Sequence, residues 1–226
     1  TAPSAEGMLY EVDMRLRPTG NKGPVAVSLE SFTRYHETES WTWERMALTR
    51  ARVIASPPEL GRKVEDIIRK TLSAPADATK LLKDARDMRD KLAAQFPGKS
   101  RWDLKFARGG LVDIEFVAQI LQLRDAAKSP DILAQNTVET LQRLAKAGAL
   151  TASDAASLIE AASLEGNLQQ ILRIALDATL DPASASPGLK ALLARAGGTA
   201  DFETLEAKLA RAQADAREIF ERVLPG

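Results

Sequence analysis

The sequence of 226 residues contains no cysteine and a single histidine, His36. Without cysteine the chain can form neither a disulfide framework nor a thiolate site for zinc or an iron-sulfur cluster. One histidine cannot supply a metal site that needs several imidazole ligands. The composition therefore excludes chemistry that depends on thiolates or on clustered imidazoles.

The sequence also lacks an excess of charge of either sign, because 31 basic side chains balance 31 acidic ones. A neutral chain has no overall field to attract nucleic acid, so phosphate binding would have to come from local pairs such as Arg50 with Arg52 or Lys105 with Arg108. No apolar run is long enough to cross a bilayer, and the first residues do not resemble a signal peptide. We expect a cytoplasmic protein with no nucleic-acid or membrane partner.

The segment from Leu9 to Pro18 alternates strictly between apolar and charged residues. On a strand, this alternation places Asp13, Arg15 and Arg17 on one face, about 7 Å apart in succession, and an apolar face on the core. A carboxylate is a metal ligand and arginines are phosphate ligands. Together with the turn residues 19–24, the segment predicts a β-hairpin that presents a nucleotide-binding face. The alternative is an amphipathic edge strand whose charges only face solvent.

After residue 28 the spacing of apolar residues predicts helices, separated by capping residues, prolines and glycines. They are predicted over residues 28–36, 40–55, 59–72, 77–95, 110–127, 131–147, 151–180, 187–196 and 201–223. The predicted fold is mainly α, with one residual β-hairpin and an antiparallel helical bundle at the C-terminal end.

The predicted helix that begins near Trp41 carries three charged residues, Glu44, Arg50 and Arg52. One interpretation is a helix packed through its tryptophans with its charges exposed. The other is that Arg50 or Arg52 leans onto the acidic face of the strand or onto the phosphates of a nucleotide.

A glycine pair, Gly109 and Gly110, precedes the most apolar of the predicted helices. Free amide groups and the helix dipole favour an anion at such a position, so this pair and the nearby Lys105 form a candidate phosphate cradle. Asp113, in the first turn, could instead serve only to complement the dipole.

Glu115 lies in the same helix, between apolar neighbours on both sides. We expect it to be buried and paired with Lys105 or with an arginine of the helix that begins near Trp41. The spacing of Asp113 and Glu115 matches the paired carboxylates of nucleotidyltransferases, but residues two apart on a helix point about 200° away from each other. This pair is therefore not expected to bind one metal ion.

Three sequence blocks, in this order, resemble the glutamine synthetase adenylyltransferase family. They are LYEVDMRLRP at residues 9–18, SWTWER at residues 40–45 and GGLVDIEF at residues 109–116. The resemblance implies that residues 1–127 are the C-terminal part of a nucleotidyltransferase α+β domain with its following helices, and that residues 128–226 are a helical bundle domain.

The resemblance also implies roles for individual residues. Asp13 would be a catalytic carboxylate and Mg²⁺ ligand, with Arg15 and Arg17 near the phosphates of ATP. To these the local pattern adds Lys105, Gly109 and Gly110 as candidate nucleotide-binding residues. The residues predicted to support the site structurally are Glu44, Arg50, Arg52, Asp113 and Glu115.

Enzymes of this family have two homologous nucleotidyltransferase halves: one transfers AMP from ATP to a tyrosine of glutamine synthetase, and the other removes it. The second and third blocks resemble the adenylylating half. The Gly-Ser motif and the paired strand aspartates of the family do not occur in this sequence. We expect them to lie upstream, and we expect this chain to be inactive alone.

Two further hypotheses stay open. Residues 128–226 could be an interaction module that docks glutamine synthetase or a PII signalling protein. The chain could also come from the deadenylylating half, or from a relative of the PII uridylyltransferase.

Overall fold

The computed structural model describes residues 12–225, and within them every regular element is helical. The helices are α1 (Leu29–Thr38), α2 (Thr42–Leu48), α3 (Pro58–Leu72), α4 (Ala78–Gln95), α5 (Leu111–Asp125), α6 (Thr137–Lys146), α7 (Ala152–Ala175), α8 (Pro187–Ala196) and α9 (Phe202–Val223). Two single 3₁₀ turns lie at Gly20–Lys22 and Pro130–Ile132. The prediction of a mainly α fold is confirmed. Among these helices, none combines the length and the apolar composition that a bilayer crossing requires.

The predicted β-hairpin is wrong over the part of it that the structure describes. Residues 9–11 lie outside the described range, and from Arg15 to Lys22 the chain makes successive turns. Val12, Met14 and Leu16, the predicted core face, are 52%, 46% and 64% exposed. An isolated pair of strands is marginal in water, and no described segment supplies a further strand or a surface to cover this face. Arg15 and Arg17 instead form hydrogen bonds within the segment, to Asp13 and to the carbonyl oxygen of Met14.

The predicted helix starts are mostly confirmed, because side chains cap them as the sequence indicates. Ser28 accepts a hydrogen bond from the amide of Ser31 at the start of α1, and Asp201 accepts one from the amide of Thr204 at the start of α9. The further capping residues are Asp77, Asn136, Thr151 and Ser186. Each of these satisfies an amide that would otherwise have no partner.

The helix predicted over residues 40–55 ends earlier, because α2 stops at Leu48. The hydroxyl of Thr49 donates to the carbonyl of Met46 at 2.7 Å, which competes with continuation of the helix. The following residues are irregular up to Pro58, which occupies the first turn of α3. Proline suits a helix start, since its missing amide would have no helical acceptor there.

Helix α5 lies at the centre of the packing and contacts α2, α4, α6, α7 and α9. Its residues Ile114, Val117, Ile120 and Leu123 are fully buried, as its uniformly apolar sequence requires. The main hydrophobic cluster extends from Met46 to Leu224, and a second cluster lies among α7, α8 and α9.

The main cluster draws residues from both sides of residue 127. Helices α2, α3, α4 and α5 contribute from one side, and α6, α7 and α9 from the other. The two predicted parts thus share buried surface, and their division into domains stays a prediction.

Gly109 brings the start of α5 against α9. Its φ angle is +79°, and a Cβ atom there would lie 1.8 Å from the carbonyl oxygen of Gln213. Gly148 has a similar φ angle of +73°, but a Cβ atom there would meet nothing within 4 Å. The two glycines therefore share a backbone conformation and differ in their packing.

We expect Gly109→Ala to destabilise the protein by about 2 kcal/mol more than Gly148→Ala, because only the first methyl group collides with a neighbouring helix. Urea unfolding followed by circular dichroism would measure both losses. Equal losses in the two variants would show that the backbone angle alone requires glycine.

Candidate functional site

Asp13 and Arg15 form an ion pair in the N-terminal segment. The Nη2 atom of Arg15 lies 2.6 Å from Oδ2 of Asp13, and the backbone amide of Arg15 donates to Oδ1 at 2.9 Å. The hydrogen bonds from Arg15 lower the pKa of Asp13 to about 2. Asp13 is therefore an exposed carboxylate that is ionised at neutral pH.

Arg17 has a different role from Arg15. Its Nη1 atom donates to the carbonyl oxygen of Met14 at 2.7 Å, and its Nε atom donates to that of Gly23 at 3.3 Å. These bonds close the turn around residues 17–23. The common face predicted for Asp13, Arg15 and Arg17 is replaced by one ion pair and two hydrogen bonds within a turn.

Asp13 is the one carboxylate that the sequence analysis assigns to magnesium. Within residues 12–225 no group of three or more His, Asp and Glu side chains is placed to hold a metal ion. Magnesium prefers near-octahedral oxygen coordination, to which Asp13 alone would contribute one carboxylate.

Glu44 is a buried structural residue at the start of α2. It accepts hydrogen bonds from the hydroxyl of Tyr35 at 2.7 Å and from the amide of Trp41 at 2.8 Å. The carboxylate thus joins α1 to the first turn of α2. Trp41 and Trp43 are 69% and 38% exposed, so the buried side of α2 is formed by other residues than its tryptophans.

Asp113 occupies the N-terminal end of α5. It is buried together with Arg89, whose Nε atom donates to its Oδ1 atom, and the amide of Gly109 donates to its Oδ2 atom at 2.5 Å. Arg89 also donates to the carbonyl oxygen of Phe106 at 3.2 Å. The protein therefore supplies its own anion at this helix start, in agreement with the interpretation that Asp113 complements the dipole.

The other members of the predicted phosphate cradle are also engaged within the protein. The amide of Gly110 donates to the carbonyl of Ala107 at 3.0 Å. Lys105 is exposed and lies 5.1 Å from the centre of the Phe106 ring. The role of Lys105, Gly109 and Gly110 in nucleotide binding stays a prediction.

Glu165 is a buried acid that the sequence analysis missed, together with its neighbour Gln213 and with Arg89. Burial, and after it the negative charge of Asp113, raises the pKa of Glu165 to about 9, so the side chain is protonated at neutral pH. The sequence does indicate the burial of Glu165, because this residue lies at helical spacing between Ala161 and Leu168, which are both buried. Arg89 follows Leu81 and Ala85 on α4 in the same way.

A cleft of about 1000 Å³ lies between the end of α2 and helices α3, α5, α6 and α7. We call it the arginine cleft, because Arg50, Arg52, Arg69 and Arg143 line it. The Nη1 atom of Arg50 lies 2.8 Å from Oε1 of Glu115, which also lines the cleft.

This contact confirms that Glu115 pairs with an arginine near α2, and it selects Arg50 over Lys105. The predicted burial of Glu115 is wrong, because its side chain is 33% exposed. Glu115, in the second turn of α5, faces the cleft, whereas Asp113, in the first turn, faces α4. The two carboxylates have separate partners, as expected for residues two apart on a helix.

Comparison with known proteins supports the family resemblance. Residues 1–67 match the family model described as Glutamate-ammonia ligase adenylyltransferase, and residues 60–224 match the one described as GlnD PII-uridylyltransferase. The chain is 50% identical, over 99% of its length, to the bifunctional glutamine synthetase adenylyltransferase/adenylyl-removing enzyme of Xanthobacter autotrophicus. The chain belongs to the glutamine synthetase adenylyltransferase family.

Two further enzymes with this name are similar to nearly the whole chain. The bifunctional enzyme of Rhodopseudomonas palustris is 46% identical over 97% of the chain, and that of Caulobacter vibrioides is 48% identical over 100% of it. The chain spans 22% and 23% of these two relatives, and 23% of the Xanthobacter autotrophicus enzyme. It thus corresponds to less than a quarter of each adenylyltransferase.

In this chain, we expect the protonation of Glu165 to make the free energy of unfolding fall by about 1.4 kcal/mol per pH unit. The pKa of Glu165 is raised from 4.5 to about 9, so between these values the folded state holds a proton that the unfolded state has released. Stability from this group is complete below pH 4.5 and is lost as the pH rises toward 9.

Glu165→Gln should remove this component, so the variant should gain stability relative to the wild type as the pH rises. Urea unfolding of both proteins between about pH 5 and pH 9 would measure the difference. Glu160→Gln, on the exposed side of the same helix, is the matched control. Parallel pH profiles for the wild type and Glu165→Gln would contradict the assignment.

Proposed function

We propose that this chain is part of a bifunctional enzyme that transfers AMP from ATP to a tyrosine of glutamine synthetase and removes it again. The observation that carries the proposal is the 50% identity over 99% of the chain to an enzyme of this name. The proposal concerns the intact protein, since the chain spans 23% of that relative.

We assign the chain to the adenylylating half and to the cytoplasm. The half is supported by the sequence SWTWER at residues 40–45 and by the sequence DIEFVAQ at residues 113–119. The cytoplasmic location is supported by the absence of cysteine.

Within this function, Asp13 is the candidate catalytic carboxylate and would contribute one oxygen ligand to Mg²⁺. Its low pKa keeps it ionised, and its exposure leaves it accessible to a bound nucleotide. Arg15 and Arg17 lie within the same segment and are candidate phosphate ligands.

A second function is favoured for the helical part of the chain. Residues 60–224 match a family model named for PII uridylylation, although the relatives with nearly full coverage are adenylyltransferases. A helical region shared by two such families could recognise a shared partner. We therefore propose that these helices also take part in docking the PII signalling protein or glutamine synthetase.

In the full-length enzyme, we expect Asp13→Ala to lower the rate of AMP transfer to glutamine synthetase by about 100-fold or more, because a catalytic carboxylate acts mainly in the transition state. The removal of AMP should be retained if the chain belongs to the adenylylating half. Transfer would be followed with ATP labelled in its α-phosphate, and removal with glutamine synthetase that carries the labelled AMP group.

The matched control is Asp181→Ala, which removes another exposed carboxylate whose pKa is lowered by local hydrogen bonds, the largest from the amide of Ala183. It lies in the loop between α7 and α8, outside the helices proposed for docking, and should leave both rates unchanged. Full transfer activity in Asp13→Ala would exclude Asp13 from the catalytic site.

Docking by the helical part can be tested with the chain itself. Isothermal titration with purified PII protein and with glutamine synthetase should detect binding to at least one of them. The Asp13→Ala variant should bind as the wild type does, since Asp13 lies outside the helices. Absence of binding to both proteins would contradict a docking role for this chain.

A further inference from the structure

The arginine cleft has an uneven distribution of ion pairs. Arg50 pairs with Glu115 at 2.8 Å, and Arg143 pairs with Glu139 at 2.6 Å. Arg52 also lines the cleft, but it has no ion-pair partner among residues 12–225 and is exposed. The cleft thus presents one guanidinium group whose hydrogen-bonding capacity the described residues leave unused.

The backbone that carries Arg50 and Arg52 is held in place. The side chain of Gln135, which also lines the cleft, donates to the carbonyl oxygen of Ala51 at 2.9 Å. Before this point, Thr49 closes the end of α2 through its bond to Met46. Because Ala51 separates the two arginines, this link fixes the wall from which both guanidinium groups extend.

Other walls of the cleft differ in charge and in size. Glu65 and Asp66 of α3 line it with exposed carboxylates, and Gln170 of α7 adds an amide. Gly166 of α7 leaves open space, because a Cβ atom there would meet nothing within 4 Å. The volume of about 1000 Å³ is that of a site for a small organic molecule.

We propose that the arginine cleft binds a small phosphate ester whose phosphate group is held by Arg52 together with Arg50. Guanidinium groups match the geometry of phosphate oxygens and can donate two parallel hydrogen bonds. The carboxylates and amides on the other walls accept hydrogen bonds from hydroxyl or amino groups, which a nucleoside provides. A nucleoside monophosphate has both kinds of group.

Glu115 acts in this proposal as a competitor of the ligand. It occupies the guanidinium group of Arg50 in the structure, so the phosphate must share Arg50 with Glu115 or displace it. Removing the charge of Glu115 should therefore strengthen binding, whereas a purely structural ion pair predicts no gain.

This proposal is separate from the catalytic role proposed for Asp13. No residue of the segment 12–28, which contains Asp13, lines the cleft. The proposed ligand is a second bound molecule, beside the nucleotide assigned to Asp13. Binding to the cleft should be the same in Asp13→Ala and in the wild type, so the failure of one proposal leaves the other standing.

The experiment is isothermal titration of this chain with AMP, with inorganic phosphate and with adenosine. We expect AMP or phosphate to bind and adenosine, which lacks the phosphate, to bind at least about tenfold more weakly than AMP. If phosphate alone binds as tightly as AMP, the free anion is the ligand. If AMP binds more tightly, the ligand is the ester.

Three variants locate the binding. Arg52→Gln should weaken binding by about tenfold or more, and Glu115→Gln should strengthen it by about threefold or more. Arg62→Gln removes the same charge from an exposed position on α3 outside the cleft and should bind as the wild type does. Thermal unfolding without ligand confirms that each variant is folded.

The proposal is overturned if neither AMP nor phosphate binds at millimolar concentrations. It is also overturned if Arg52→Gln binds as tightly as Arg62→Gln, or if Glu115→Gln weakens binding in a protein that remains folded.

Discussion

The buried ion pair between Asp113 and Arg89 is the interaction on which the arrangement of the helices depends. Asp113 compensates the positive end of α5, and Arg89 ties this end to α4. A buried charge is costly unless it is both paired and hydrogen-bonded, and here the amide of Gly109 supplies a further bond. The helix that forms the centre of the core therefore has a fixed orientation at the end nearest its neighbours α4 and α9.

The same end of α5 separates two environments. On one side, Asp113 and the protonated Glu165 belong to a cluster of buried polar side chains among the helices. On the other side, Glu115 pairs with Arg50 at the edge of the arginine cleft. Two carboxylates two residues apart thus serve the interior and a solvent-accessible surface, which follows from the rotation of successive residues about a helix axis.

Much of the helical architecture could be predicted because local signals agree with it. Apolar spacing and capping residues place most helices close to their observed limits, as at Ser28 and Asp201. The N-terminal segment could not be predicted in this way, since strand formation depends on neighbouring strands, and Val12 has no such neighbour in the part of the chain that the structure describes. Charge limited the partner of Glu115 to Lys105 or an arginine near α2, and the structure selects Arg50. Glu165 could have been found as a polar residue at a buried position of an otherwise apolar helix face.

The pairing of Asp113 with Arg89 also limits how this chain can change during evolution. Loss of either side chain alone would leave an uncompensated charge in the interior, which costs about 3–5 kcal/mol, whereas joint replacement by apolar residues can be nearly neutral. The two positions, which are 24 residues apart, should therefore covary: relatives that have lost the aspartate should also have lost the arginine.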